Sequence, residues 1–256
     1  MSFATYRFVG IRSVRGWLAP HALDVLAMVL DGEPADGGGV AEIGVHHGKL
    51  FIALQLLSPT GPSLAVDVFG AQDLNIDRSG SGDRERFVAN VKRWGMPQTL
   101  VVREADSTTI TRDQLAADLP AGARLFSVDG GHTKEIVHSD LKLAEAACTE
   151  RGIVIADDVF NGSWPGVAEG TLSYLADGSG LRPFAIAFNK VLLAREPAAQ
   201  EYYARLLERA TPRRRWLVRE QEFVSSPVVS IATRPKNMRG LAERSALITK
   251  AYQRLS

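Results

Sequence analysis

Residues 124–160, RLFSVDGGHTKEIVHSDLKLAEAACTERGIVIADDVF, constrain the fold more than any other stretch of the chain. Two short apolar runs, RLFSV and GIVIA, each end directly in acidic residues: Asp129 followed by His132, then Asp157 and Asp158. An apolar run of that length between turn signals reads as a parallel strand covered on both faces, and the stretch from Ile136 to Ala147 reads as the crossover helix joining the two. Ligands in such sheets bind beyond the carboxyl ends of the strands, so three carboxylates and one imidazole are expected to meet at one sheet edge. Charge placed there costs desolvation energy unless something pairs with it, and three hard oxygen ligands suit Mg²⁺ or a similar divalent cation. His132 is close enough to serve chemistry at that ion.

The same rhythm runs back to Gly39: VAEIGV, KLFIALQLL, SLAVDVF, DRERFVANVKRWG, LVVREAD and residues 110–119 alternate strand and helix. Repeated βα units predict an α/β fold, a doubly wound parallel sheet with right-handed crossovers. After Phe160 come a Gly and Pro loop, NGSWPGVAEG, a helix near Thr171 to Ala176, and two apolar runs, FAIAF and VLLA, that read as an antiparallel hairpin at a sheet edge with Asn189 and Lys190 as its turn. From Pro197 the chain reads as helical and charged, apart from the strand-like PVVSIAT. Ahead of the core, a helix after Pro20 (HALDVLAMVL) ends at the turn-rich DGEPADGGG and reads as a lid or oligomer contact, so a homo-oligomer is expected. With 256 residues and 45% hydrophobic content, one domain is favoured. Its parts are an N-terminal segment (1–38), a core (39–195) and a C-terminal helical extension (196–256).

Lys and Arg (30) balance Asp and Glu (29), which disfavours nucleic acid or an anionic membrane as partner. The cluster Arg213, Arg214 and Arg215 reads as a solvated helix end, because no aromatic base-stacking pattern accompanies it. The single cysteine, Cys148, excludes an intrachain disulfide framework and reads as a core residue at the end of the crossover helix. No apolar run reaches the roughly 18 residues of a membrane span, and the first residues are broken by arginines instead of forming a signal-peptide centre, so a cytoplasmic protein is expected.

Glu42-Ile43-Gly44-Val45-His46-His47-Gly48 follows the first strand and precedes a helix, so its glycines let backbone approach a ligand and the helix offers unpaired N–H groups. His46 stands at the second glycine position of G-x-G-x-x-G, which argues against a dinucleotide pyrophosphate. Asp67 closes the second strand, where an acid accepts hydrogen bonds from a ribose diol, and Asp106-Ser107 ends the third, where a carboxylate or hydroxyl reads an adenine edge. Acids on three successive strand ends suit a nucleoside carrying no phosphate.

On these residues the chain resembles class I S-adenosylmethionine-dependent methyltransferases. The E-x-G-x-x-x-G loop from Glu42 to Gly48, the ribose acid Asp67 and the adenine-contacting Asp106 carry the likeness. DGGH at Asp129 to His132 and the pair Asp157 and Asp158 narrow it to metal-dependent O-methyltransferases, especially those acting on sugars of macrolide antibiotics. The resemblance spans residues 39 to 195. It implies a Rossmann-like seven-stranded sheet, S-adenosylmethionine and Mg²⁺ as cofactors, and a small hydroxylated acceptor. Asp129, Asp157 and Asp158 would hold the ion, and His132 would take the hydroxyl proton.

Each of these residues has a plainer alternative. Asp129 and His132 also suit local helix capping and Asp157 and Asp158 a turn, while His46 and His47 read as solvated loop residues, with a lining of the cofactor's carboxylate or the acceptor by one of them as the alternative. The glycine-rich stretch from Phe69 to Asp83 reads as a lid or a surface loop, and Trp164 as an acceptor wall or an anchor. A nicotinamide-dependent dehydrogenase and a non-catalytic cofactor-binding scaffold are the competing functions.

Overall fold

A computed structural model describes residues 1–234. In chain order the elements are α1 (Phe3–Phe8), α2 (Pro20–Leu30), β1 (Gly39–Ile43), α3 (Lys49–Leu57), β2 (Ser63–Asp67), α4 (Arg84–Trp94), β3 (Leu100–Glu104), α5 (Arg112–Asp118), β4 (Ala123–Val128), α6 (Lys134–Ala147) and β5 (Cys148–Ala156). They continue with α7 (Pro165–Ala176), β6 (Leu181–Ala187), β7 (Lys190–Arg195), α8 (Ala198–Ala210), β8 (Trp216–Phe223) and β9 (Ser226–Thr233). All strands join one sheet in the order β3-β2-β1-β4-β5-β7-β6-β9-β8, parallel from β3 to β5.

Every residue of β1 and β4 is buried, as strands covered on both faces require. Side chains alternate between two cores: Leu125, Ile153 and Ile155 pack with α2, α3 and α8, while Phe126, Val128 and Val154 pack with α5, α6 and α7. Strand order reverses between β1 and β4, which opens a crevice at their carboxyl ends. Register then fixes the level of the acids. Asp129 N–H donates to Ile43 O (3.0 Å) and Asp157 N–H to Val128 O (3.0 Å), so the ends of β1, β4 and β5 stand side by side.

Among the described residues the sheet has nine strands, not seven. The β6–β7 hairpin is antiparallel as expected but lies inside the sheet, because β9 pairs parallel with β6 and β8 forms the edge. Its turn is Phe188-Asn189, and Lys190 already belongs to β7. The C-terminal part is therefore not simply helical: WLVREQEF is a strand. Its outer residues Arg219 to Glu222 are exposed and all charged but Gln221, as an edge strand tolerates, and it turns into β9 through Val224 and Ser225, both with positive φ (49° and 55°). That two-residue turn normally selects Asn or Gly, so the hairpin carries no sequence signature. PVVSIAT falls in β9 as expected. Residues 165–170, taken for loop, are the first turns of α7: Pro165 starts the helix, and Gly170, where a Cβ would lie 2.7 Å from Lys134 O, admits close packing on α6.

The apolar side of α2 is spent inside the chain. Leu23, Val25, Leu26 and Val29 are buried against α3 and α8, which removes the ground for an oligomer contact there. Glu33, just beyond α2, is buried and takes hydrogen bonds from Arg124 of β4 and Arg151 of β5 and an ion pair from Arg205 of α8. Cys148 opens β5 and is buried. No described helix is long and apolar enough to cross a membrane.

Candidate functional site

A cavity of about 780 Å³ opens at the carboxyl ends of the parallel strands. It is lined by Glu42, Gly44, Asp67, Asp106, Ser107, Asp129, His132, Asp157 and Asp158; Gly48 alone of the expected residues lies behind it.

At one end, the loop after β1 is shaped by two left-handed glycines. A Cβ on Gly44 (φ 84°) would lie 1.8 Å from Asp129 O, and one on Gly48 (φ 87°) 2.9 Å from the Phe87 ring. His46, at the position where the dinucleotide motif has glycine, also adopts positive φ (51°), so the loop keeps the glycine-type conformation with a side chain attached. Asp67 latches this loop: Oδ2 accepts His46 N–H (2.7 Å) and Oδ1 accepts Phe69 N–H (2.6 Å). Burial raises Asp67 above the ordinary carboxylate range against the pull of those two donors. Glu42 is buried, its Oε2 has no partner among the described residues, and desolvation pushes its carboxyl well up. Asp106 caps a short turn, accepting Thr108 N–H (2.9 Å) and hydroxyl (2.8 Å). Ser107 turns its hydroxyl to Asp140 (3.1 Å), a buried carboxyl that desolvation moves up to about 7.

At the other end, Asp129, His132 and Asp158 each bring a ligand atom within 4.8 Å of the others. Desolvation and the neighbouring Asp157 charge hold Asp129 well above its usual value. Asp158 has positive φ (56°), which swings its carboxylate to Asn189 Nδ2 (2.5 Å) and toward His132 Nε2 (3.7 Å). Its pKa is lowered, chiefly by His132. Asp157 is engaged differently: Oδ1 accepts Asp158 N–H (2.7 Å), and Oδ2 is ion-paired with the buried ammonium of Lys190. Burial alone would push Lys190 down, but Asp157 and Asp129 outweigh it and keep the ammonium charged. Of the three acids expected to share an ion, Asp129 and Asp158 thus converge with His132, while Asp157 faces a lysine.

His132 Nδ1 is 2.8 Å from Asp77 Oδ2, and Trp164 stacks on its ring with centroids 4.5 Å apart. Burial lowers its pKa, but Asp158 and Asp77 prevail and raise it. His46 and His47 are not solvated loop residues. His47 is buried, and His46 lines the cavity beside Trp17, its pKa lowered to about 4 by burial and by His47. Sequence reasoning missed Asp77 and Lys190. A lone lysine opening the apolar run VLLA was the one available sign of a buried counterion; Asp77, in a polar loop, carried none.

Residues 41–159 match the family model described as a methyltransferase domain, from within β1 to just past β5. No curated protein matches the chain by sequence. Solved structures share the fold. The cofactor-bound Rv0187 from MTB is 17% identical with a TM-score of 0.52, covering 75% of this chain and 88% of that one. The O-methyltransferase NovP is 14% identical (TM-score 0.53; 69% and 80% covered). The SAH-bound Podospora anserina methyltransferase PaMTH1 is 12% identical (TM-score 0.54; 76% and 88% covered). Sheet order and crevice are those of a Rossmann-like fold, and residues 41–159 within it are similar to a methyltransferase domain.

Proposed function

We propose that the protein is an S-adenosylmethionine-dependent, divalent-metal-assisted O-methyltransferase acting on a hydroxyl of a small molecule, a sugar or natural product. The observation that carries this reading is the convergence of two chemically distinct ends in one cavity: Glu42, Asp67 and Asp106 from the ends of β1 to β3, and Asp129, His132 and Asp158 from those of β4 and β5.

The Gly44 and Gly48 loop admits the cofactor's amino-acid end, Asp67 accepts from the ribose hydroxyls, and Asp106 with the Ser107 backbone meets the adenine edge. Asp129 and Asp158 fit the carboxylate ligands of a divalent cation beside His132, the ligand atoms of all three lying within 4.8 Å of one another. Such an ion supplies the charge that acidifies and orients the acceptor hydroxyl. His132 takes the hydroxyl proton at Nε2, the nitrogen not engaged by Asp77. S-adenosylmethionine held there would supply the methyl group, its sulfur keeping the electron pair of the broken bond as the acceptor oxygen takes the methyl. A cytoplasmic homo-oligomer remains part of this proposal without a surface assigned to it.

One observation favours a metal-free variant of the same reaction: Lys190 already places a cation on Asp157. Calorimetry on metal-stripped protein separates the two. Binding of both S-adenosylhomocysteine and Mg²⁺ supports the metal-assisted form, nucleoside binding alone the metal-free form, and binding of neither overturns the assignment.

A further inference from the structure

We infer that Asp77 is a positioning residue that makes the loop of residues 69–83 part of the catalytic machinery: the loop carries the carboxylate that orients His132. This rests on the reading of His132 as proton acceptor.

The loop leaves the end of β2 and crosses to the end of β4. It is pinned at its start by Phe69, buried against Phe87, and at its finish by Asp83, which caps α4 through Arg86 N–H (2.9 Å). Between these pins it is braced internally. Asn75 Nδ2 donates to Gly80 O (2.7 Å) and to Gln72 Oε1 (3.0 Å), and Ser79 N–H donates to Asp77 Oδ1 (2.9 Å). The bracing leaves Asp77 Oδ2 pointing at His132, where it receives both the backbone N–H (2.5 Å) and ring Nδ1 (2.8 Å). Both side chains are about nine-tenths buried, at 11% and 10% exposure.

Three consequences follow from this contact. An ionised carboxylate is an acceptor only, so the contact fixes a proton on Nδ1 and leaves Nε2 as the nitrogen turned to the cavity. With Asp77 on one edge and Trp164 stacked on the face, the ring cannot rotate, and Nε2 faces the cavity near Asp158. The same contact holds the loop across the cavity, and Leu74 and Ile76, 46% and 71% exposed, line it from the loop side. An oriented base therefore exists only while the loop is down. An open loop admits ligands to a site whose histidine has lost its orienting partner, so the methyl donor is not exposed to water beside a competent base.

The test of the contact itself needs no acceptor. Protein labelled with ¹⁵N-histidine, which has five such residues, is studied with bound S-adenosylhomocysteine by imidazole NMR, and residues 69–83 by hydrogen exchange. The His132 signal, assigned by its absence in His132→Ala, is expected as the Nδ1–H tautomer. Asp77→Ala should abolish that preference, and Asp77→Asn, which keeps an acceptor oxygen, should restore most of it. Exchange in 69–83 should quicken about 10- to 100-fold in both Asp77→Ala and His132→Ala, the effect of losing hydrogen bonds to a charged group. An unchanged His132 tautomer in Asp77→Ala, or a loop indifferent to His132→Ala, overturns the inference. Failure of the base reading shows separately, as methyl transfer that survives His132→Ala while these signals behave as expected.

Discussion

Lys190→Met tests the electrostatic heart of the site. The Lys190 and Asp157 side chains are 3% and 7% exposed, and Asp157 leads the acids that keep the ammonium charged against its burial. Methionine keeps most of the apolar stem and removes the ammonium, so Asp157 is left as a buried carboxylate without a counterion. Breaking one partner of a buried ion pair costs about 3–5 kcal/mol, because the remaining charge is no longer compensated. Replacing both partners by neutral groups costs far less. In Lys190→Met with Asp157→Asn, the asparagine oxygen still accepts Asp158 N–H and no orphan charge remains, so that variant should lie within about 1–2 kcal/mol of wild type. Urea unfolding of the wild type, both single variants and the double variant gives the cycle, with S-adenosylhomocysteine affinity as the functional readout. A Lys190→Met protein within about 1 kcal/mol of wild type, or a double variant no better than the single, would refute the counterion argument.

Acid stability should depend on Glu33. Burial works to raise its pKa, but the Arg151, Arg205 and Arg124 hydrogen bonds hold it at about 2 against an ordinary 4.5. A depressed carboxyl contributes stability above its unfolded pKa and loses it as pH falls through the folded value, so Glu33→Gln should remove about 3 kcal/mol of pH dependence between 4.5 and 2, read from unfolding midpoints. Gly44→Ala should cost more than about 2 kcal/mol and abolish S-adenosylhomocysteine binding, since the new methyl meets Asp129 O at 1.8 Å on top of the left-handed backbone penalty; a normal melting curve with normal binding contradicts this. Asp67→Ala should weaken cofactor binding by about 1.5–3 kcal/mol, and unaltered calorimetric affinity removes it from the ribose contact. Asp158→Ala should eliminate Mg²⁺-dependent methyl transfer, whereas wild-type activity indifferent to chelator ends the metal assignment.

The parallel half of the sheet was legible because its strands are continuous apolar runs and its crossover helices are amphipathic, patterns that depend only on burial and period. The added edge was not. β8 is charged on its exposed side, and its turn into β9 uses Val224 and Ser225 at positive φ, where only the favourable pairing with β9 offsets the strain. Likewise Gly166 and Gly170 look like loop residues in sequence, yet they are the contact points that let α7 approach His132 O and Lys134 O.

Local polarity, and the point where a covered strand must stop, are enough to place the alternation of strand and helix and the acids at five successive parallel strand ends. The partners of those acids come from the packing of distant elements. Asp77 reaches His132 from 55 residues away and Lys190 reaches Asp157 from 33 away, across elements brought together by sheet order. Pairing of buried charges is a property of three-dimensional proximity and desolvation, and neither is written in the spacing of residues along the chain.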